Sequence, residues 1–64
     1  MIMYCIYDGN YGAMLGKMVY IRAYFQYIEA QVIGYDSRKE KYHVRCKDGS
    51  FRKVRLVYIK KEEG

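Results

Sequence analysis

Eight basic side chains fall between positions 38 and 55 (Arg38, Lys39, Lys41, Arg45, Lys47, Arg52, Lys53 and Arg55) against Glu40 and Asp48 alone, a net +6. Residues 1–37 carry a net −1 and residues 56–64 are neutral, so the whole chain's +5 resides in this one segment. Arg45, Lys47, Lys53 and Arg55 alternate with apolar positions, which predicts that they project from one surface. Such a stripe attracts polyanions by releasing counterions from a phosphate backbone. Its plainer role is a solvated outer face that keeps a small domain dissolved.

A second group is aromatic. Tyr24, Phe25 and Tyr27 crowd one stretch where no core needs three rings, and rings beside a basic strand suit base stacking on single-stranded nucleic acid. Tyr20, Tyr35, Tyr42 and Tyr58 lie within strand-like segments and read as core or rim rings with their hydroxyls reaching water.

Catalytic chemistry finds no such grouping, and the chain reads as non-enzymatic. His43 is the sole histidine. It stands on the polar side of a strand, with Cys46 three residues on and facing the other way, and reads as an exposed structural residue. Glu62 and Glu63 sit in a terminal tail that is expected to fray. There is no Gly-rich phosphate loop and no HExxH, and no Cys/His spacing suggests zinc. No cofactor and no metal are expected. Cys5 and Cys46 are too few for a disulfide scaffold; Cys46 reads as a small core residue, and a bridge to Cys5 stays open.

The elements that position these residues are written in a period of two. Ala30 and Val32, then Tyr42, Val44 and Cys46, fall on one side, while Gln31, His43, Arg45 and Lys47 fall on the other. A helix would not sort them so. Two connectors join the runs: the polar stretch 35–41, and Lys47-Asp48-Gly49-Ser50, whose Asp-Gly pair is a strong hairpin signal because glycine takes a positive φ without strain. The pattern predicts an all-β, mainly antiparallel closed barrel of about five strands: 2–7 or 17–23 as the opening ones, then 28–35, 41–47 and 51–55, with a closing segment at 56–60. Residues 1–15 are an extra strand ending in the turn Asp8-Gly9-Asn10, or a flexible arm; 16–60 form the barrel and 61–64 a tail.

Sixty-four residues allow one domain with a thin core. Hydrophobic residues make up 52% of the chain and nine tyrosines supply large rings to fill that core. The opening MIMYCIYD has no basic stretch before its apolar run and meets Asp8 early, and no run reaches the roughly 18 apolar residues a span needs. The expectation is an intracellular protein, cytoplasmic or nuclear, neither secreted nor membrane-bound.

The order of these signals resembles the Tudor family of SH3-like barrels over about residues 16–59. The matching residues are Gly16, Val19, the loop Tyr24-Phe25-Gln26-Tyr27, Ala30-Gln31-Val32, Tyr42-His43-Val44, Asp48-Gly49 and Val54. The resemblance implies a small antiparallel barrel and an aromatic cage for methylated lysine or arginine, with Tyr24, Tyr27 and Phe51 as its walls. The chain departs from that cage where it places Cys46 and Lys47: a wall is missing, and a lysine repels a cationic ligand. The leading expectation is therefore nucleic-acid binding, to DNA or RNA, through Arg45, Lys47, Arg52, Lys53 and Arg55, with Tyr24, Phe25 and Tyr27 stacking. The rivals are a reader of lysine or arginine peptides through Tyr24, Tyr27 and Phe51, and a small standalone inhibitor or assembly factor of phage or plasmid type that docks on a larger protein.

Overall fold

A computed structural model describes residues 2–62, and they form six antiparallel strands with no α-helix. The strands are β1 (Ile2–Ile6), β2 (Met18–Ala23), β3 (Gln26–Asp36), β4 (Lys41–Cys46), β5 (Phe51–Val54) and β6 (Tyr58–Glu62), with one short 3-10 helix at Tyr11–Met14. They make a single sheet in the order β1-β6-β2-β3-β4-β5. The expected closed five-stranded barrel is corrected in both respects. There are six strands, and β1 and β5 end the sheet as separate edges instead of pairing with each other. Of the alternative openings 2–7 and 17–23, each holds a strand, β1 and β2. The C-terminal tail begins later than expected, because Lys61 and Glu62 lie in β6 opposite Met3 and Ile2. Glu63 lies outside the described residues.

The turns explain the topology. Between β2 and β3 only Tyr24 and Phe25 intervene, with Ala23 paired to Gln26 and Tyr24 held at φ 58. A side chain at positive φ is uncommon, so this tip stores local strain where glycine would relieve it. After β3 the Asp36 carboxylate accepts from the backbone N–H groups of Arg38 and Lys39. Those bonds, the Lys39 one above all, hold its pKa below the ordinary value. After β4, Gly49 takes φ 91, and the Ser50 amide and hydroxyl both donate to Asp48. The Ser50 hydroxyl is the main reason the Asp48 carboxyl is likewise held low.

One face of the sheet is the core. Val19, Ile21, Ala30, Val32, Tyr42, Val44 and Cys46 project from β2, β3 and β4, and Val57 closes over them from the β5–β6 connector. The alternation from Ala30 to Cys46 thus sorts inward and outward as the sequence implies. Each large apolar side chain so buried contributes about 1.5–3 kcal/mol. Burial pushes the Tyr42 phenol pKa up, reinforced by the neighbouring Tyr35 and Tyr7. Both cysteines are free, Cys46 in the core and Cys5 half-buried on β1. Among the described residues no helix is long and apolar enough to cross a membrane.

The 3-10 helix packs one more wall. Asn10 caps it by accepting from the Gly12 amide, which delivers Tyr11 onto Tyr35 at a ring separation of 4.1 Å. Just before it, the Tyr7 hydroxyl donates to the Asn10 carbonyl at 2.7 Å. Gly9 lies so close beneath the Tyr7 ring that a Cβ there would stand 2.6 Å from the hydroxyl oxygen.

Candidate functional site

Residues directly opposite in an antiparallel pair share a face. Arg45 lies opposite Phe51, and His43 opposite Lys53, all four on the face turned from the core. Gln31 and Gly34 of β3 continue the two rows inward, and Ile33 is the extra residue of a bulge between Val32 and Gly34. The result is a ladder of two cations, an imidazole and a ring that is 70% exposed. Beside it runs a groove of about 280 Å³ lined by Ile33, His43, Val44, Phe51, Arg52 and Lys53. His43 Nε2 is buried there with no hydrogen-bond partner among the described residues. Histidine 43 is therefore not the exposed residue expected; its ring is half-buried beneath its neighbours.

The basic stripe is split. Arg45 and Lys53 share the outer face, but Lys47 stands in the β4–β5 turn beside a hollow of about 180 Å³ that it lines with Ile28, Cys46, Asp48 and Arg52. Arg52, opposite Val44, belongs by alternation to the core side, and on this edge strand its long side chain reaches the margins of both hollows. Arg55, past the end of β5, lines a different cleft of about 420 Å³ with Tyr7, Tyr35, Tyr42, Lys39 and Glu40. The single surface expected for Arg45, Lys47, Lys53 and Arg55 is thus corrected to one face, one turn and one cleft.

The aromatics are redistributed too. Tyr24 and Phe25 form the bare β2–β3 tip, 90% and 100% exposed. Tyr27 is not in that loop at all: it lies in β3 opposite Arg22 and stacks on Tyr4 at 4.3 Å. Tyr4 also meets Tyr20 edge-on, and Tyr27 meets Tyr58, so four strands contribute one ring each to a tyrosine cluster on the outer face. Tyr24, Tyr27 and Phe51 consequently occupy a tip, a cluster and a groove, and do not assemble into one pocket. Reading the sequence missed this cluster, although the alternation Ile2, Tyr4, Ile6 already placed Tyr4 on one side of a strand.

The two hairpin tips lie at the same end of the sheet. Ala30 pairs with Cys46, so the turn Lys47–Ser50 leaves the sheet beside the start of β3, and the Tyr24-Phe25 tip extends beyond it. The bare rings of Tyr24 and Phe25 and the turn cation Lys47 therefore lie toward the end of the sheet at which Arg45 and Phe51 stand on β4 and β5. Among the described residues no group of three or more His, Cys, Asp or Glu side chains is placed to hold a metal. No family model, curated protein or solved structure matches this chain.

Proposed function

We propose that the outer face of β4 and β5 binds single-stranded nucleic acid, with Arg45 and Lys53 on phosphates and Phe51 under a base. The observation that carries this reading is the groove beside Phe51: an exposed ring flanked by Arg45, Arg52 and Lys53, with an unpartnered imidazole nitrogen at its floor. A stacked base meets the ring through its π-face, and its polar edge lies among the Arg45, Arg52 and Lys53 side chains, while the His43 ring stays covered beneath them. Lys47 and the Tyr24-Phe25 tip extend the path along the same end of the sheet. The protein acts by binding and carries out no reaction.

The resemblance to the Tudor family belongs to this proposal as well. The segment from Gly16 through β5 carries its residues in order, and the binding face lies on the same β4–β5 hairpin that the family's pattern marks with Asp48-Gly49. An SH3-like layout opened at the β1 and β5 edges is the fold reading that accommodates both. Fluorescence anisotropy with labelled single strands and duplexes of DNA and RNA, at several salt concentrations, tests the function. Binding to single strands that steepens as salt falls supports it. Affinity no better than about 10⁻⁴ M for every polymer, the non-specific range, refutes it and directs the search to protein partners.

A further inference from the structure

The two edges of the sheet are guarded differently. Unpaired edge strands invite pairing with another chain, and proteins blunt them with charge, proline or bulges. β5 carries Arg52 and Lys53 on its edge. β1 carries Ile-Met-Tyr-Cys-Ile, without a charge, a proline or a bulge, and the first charged side chain after it is Asp8. Ile2, Met3 and Ile6 are 50%, 41% and 51% exposed.

The register says which groups are free. The Tyr7 amide donates to the Val57 carbonyl, continuing the β1–β6 ladder in which Ile6 faces Tyr58. Bonding alternates along an antiparallel strand, so Met3, Cys5 and Tyr7 point their backbone toward β6. The N–H and C=O groups of Ile2, Tyr4 and Ile6 then point away from the sheet.

From these observations we infer that β1 pairs antiparallel with β1 of a second copy of this chain, on a twofold axis through Tyr4. That register is self-complementary, as an isologous contact must be. It sets Ile2 against the second copy's Ile6, Met3 against its Cys5, and Tyr4 against its Tyr4. Three outward-pointing residues exchange hydrogen bonds, and every side chain brought together is apolar or aromatic. Charge selects this edge. Each copy carries +5, and a twofold contact made through the basic segment 38–55 opposes like charges, while the charge-free edge of β1 does not. The product is one continuous sheet of two copies with a basic hairpin at either end.

Sedimentation velocity across a concentration series, with circular dichroism as the folding control, tests it. The expected result is a monomer–dimer equilibrium that Lys53→Glu leaves intact. Ile6→Lys, at an exposed position, weakens the dimer by on the order of tenfold or more, because the loss is counted twice across the axis. The double variant Ile2→Glu, Ile6→Lys restores association, since this register opposes the introduced carboxylate and ammonium. Met3→Cys, oxidised, gives a covalent dimer through the native Cys5, the two Cα atoms lying about 4.5 Å apart in such a pair. A monomer at all concentrations overturns the inference. So does a dimer indifferent to Ile6→Lys or broken by Lys53→Glu, and failure of both the double variant and the Met3→Cys link overturns the register.

Discussion

Removing Arg45 and Lys53 together, and separately removing the Phe51 ring, divides the proposed interface into its two physical parts. Arg45→Ala with Lys53→Ala deletes two phosphate contacts. On a single strand each contributes a slope of about −0.7 in log affinity against log salt, so the slope falls in magnitude by about 1.4. Over a fourfold rise in salt, from about 50 to 200 mM, the parent protein then loses roughly sevenfold more affinity than the double variant. Phe51→Ala removes stacking, worth about 1–3 kcal/mol per base, and leaves the slope unchanged because no counterion is released. Both sets are clean in the folded state. Phe51 is 70% exposed, so its truncation costs well under the roughly 3–5 kcal/mol of a core phenylalanine. Anisotropy titrations at four or more salt concentrations read both quantities from one data set. If the double variant keeps the parent's slope, the ladder does not touch phosphates. If Phe51→Ala flattens the slope while affinity at low salt holds, the ring acts through neighbouring cations and the stacking argument fails.

Two further outcomes concern stability. Gly9→Ala forces the Tyr7 ring from its seat and breaks its bond to the Asn10 carbonyl, a loss of about 1–2 kcal/mol that lowers Tm by roughly 5–15 °C in a domain this small; an unchanged melting curve would show that Tyr7 swings aside without cost. Asp36 and Asp48 both have carboxyls held below their ordinary value of 3.8 by bonds made only in the folded turns. The folded state therefore favours their anions, and the stabilisation is complete above that value and disappears as pH falls through the lower folded one. Urea unfolding at pH 6 and pH 3 checks this: Asp48→Asn should show a smaller loss between the two than the parent, and an equal loss would remove the Ser50 bonds from the account.

The core was legible in the sequence because a half-buried strand writes its two faces in alternate letters. Ala30, Val32, Tyr42, Val44 and Cys46 sort inward as read, and Asp48-Gly49 turns the chain where its chemistry requires. What stayed hidden depended on contacts distant in sequence. Nothing near Val54 indicates that Val57, in a connector, seals the core, and nothing local to Tyr27 indicates Tyr4 as its stacking partner. Closure is not written in the sequence for a related reason: period two reports that one side of each strand is buried, and carries no information on whether the first and last strands meet. The basic stripe breaks up because alternation holds only while the strand lasts. β5 ends at Val54, so Arg55 follows the chain out of the sheet into the Tyr7 cleft. The bulge at Ile33 shows the same limit, since an extra residue in β3 resets the pairing that places Gly34 against His43.

The join between β2 and β6 is a single backbone pair, Tyr20 with Tyr58, reinforced by the rings of Tyr4, Tyr20, Tyr27 and Tyr58, one pair stacked and two edge-on, packed across it. By contrast, β2, β3 and β4 are bound along their lengths. The molecule is thereby divided into two cooperative units of unequal strength. Sub-global opening that releases the β1–β6 ribbon severs one bridge, parts the rings and withdraws Val57, while the three-strand centre keeps its ladders. The released ribbon is a lone pair of strands, marginal in water, so the amide protons of Met3, Cys5 and Tyr7 exchange through this smaller opening, and those of Val19, Ile21, Val32 and Arg45, bonded within the three-strand centre, wait for global unfolding. A clamp made of tyrosine rings thus sets how independently the N- and C-terminal strands come and go, with no change to the hairpin that bears the charge.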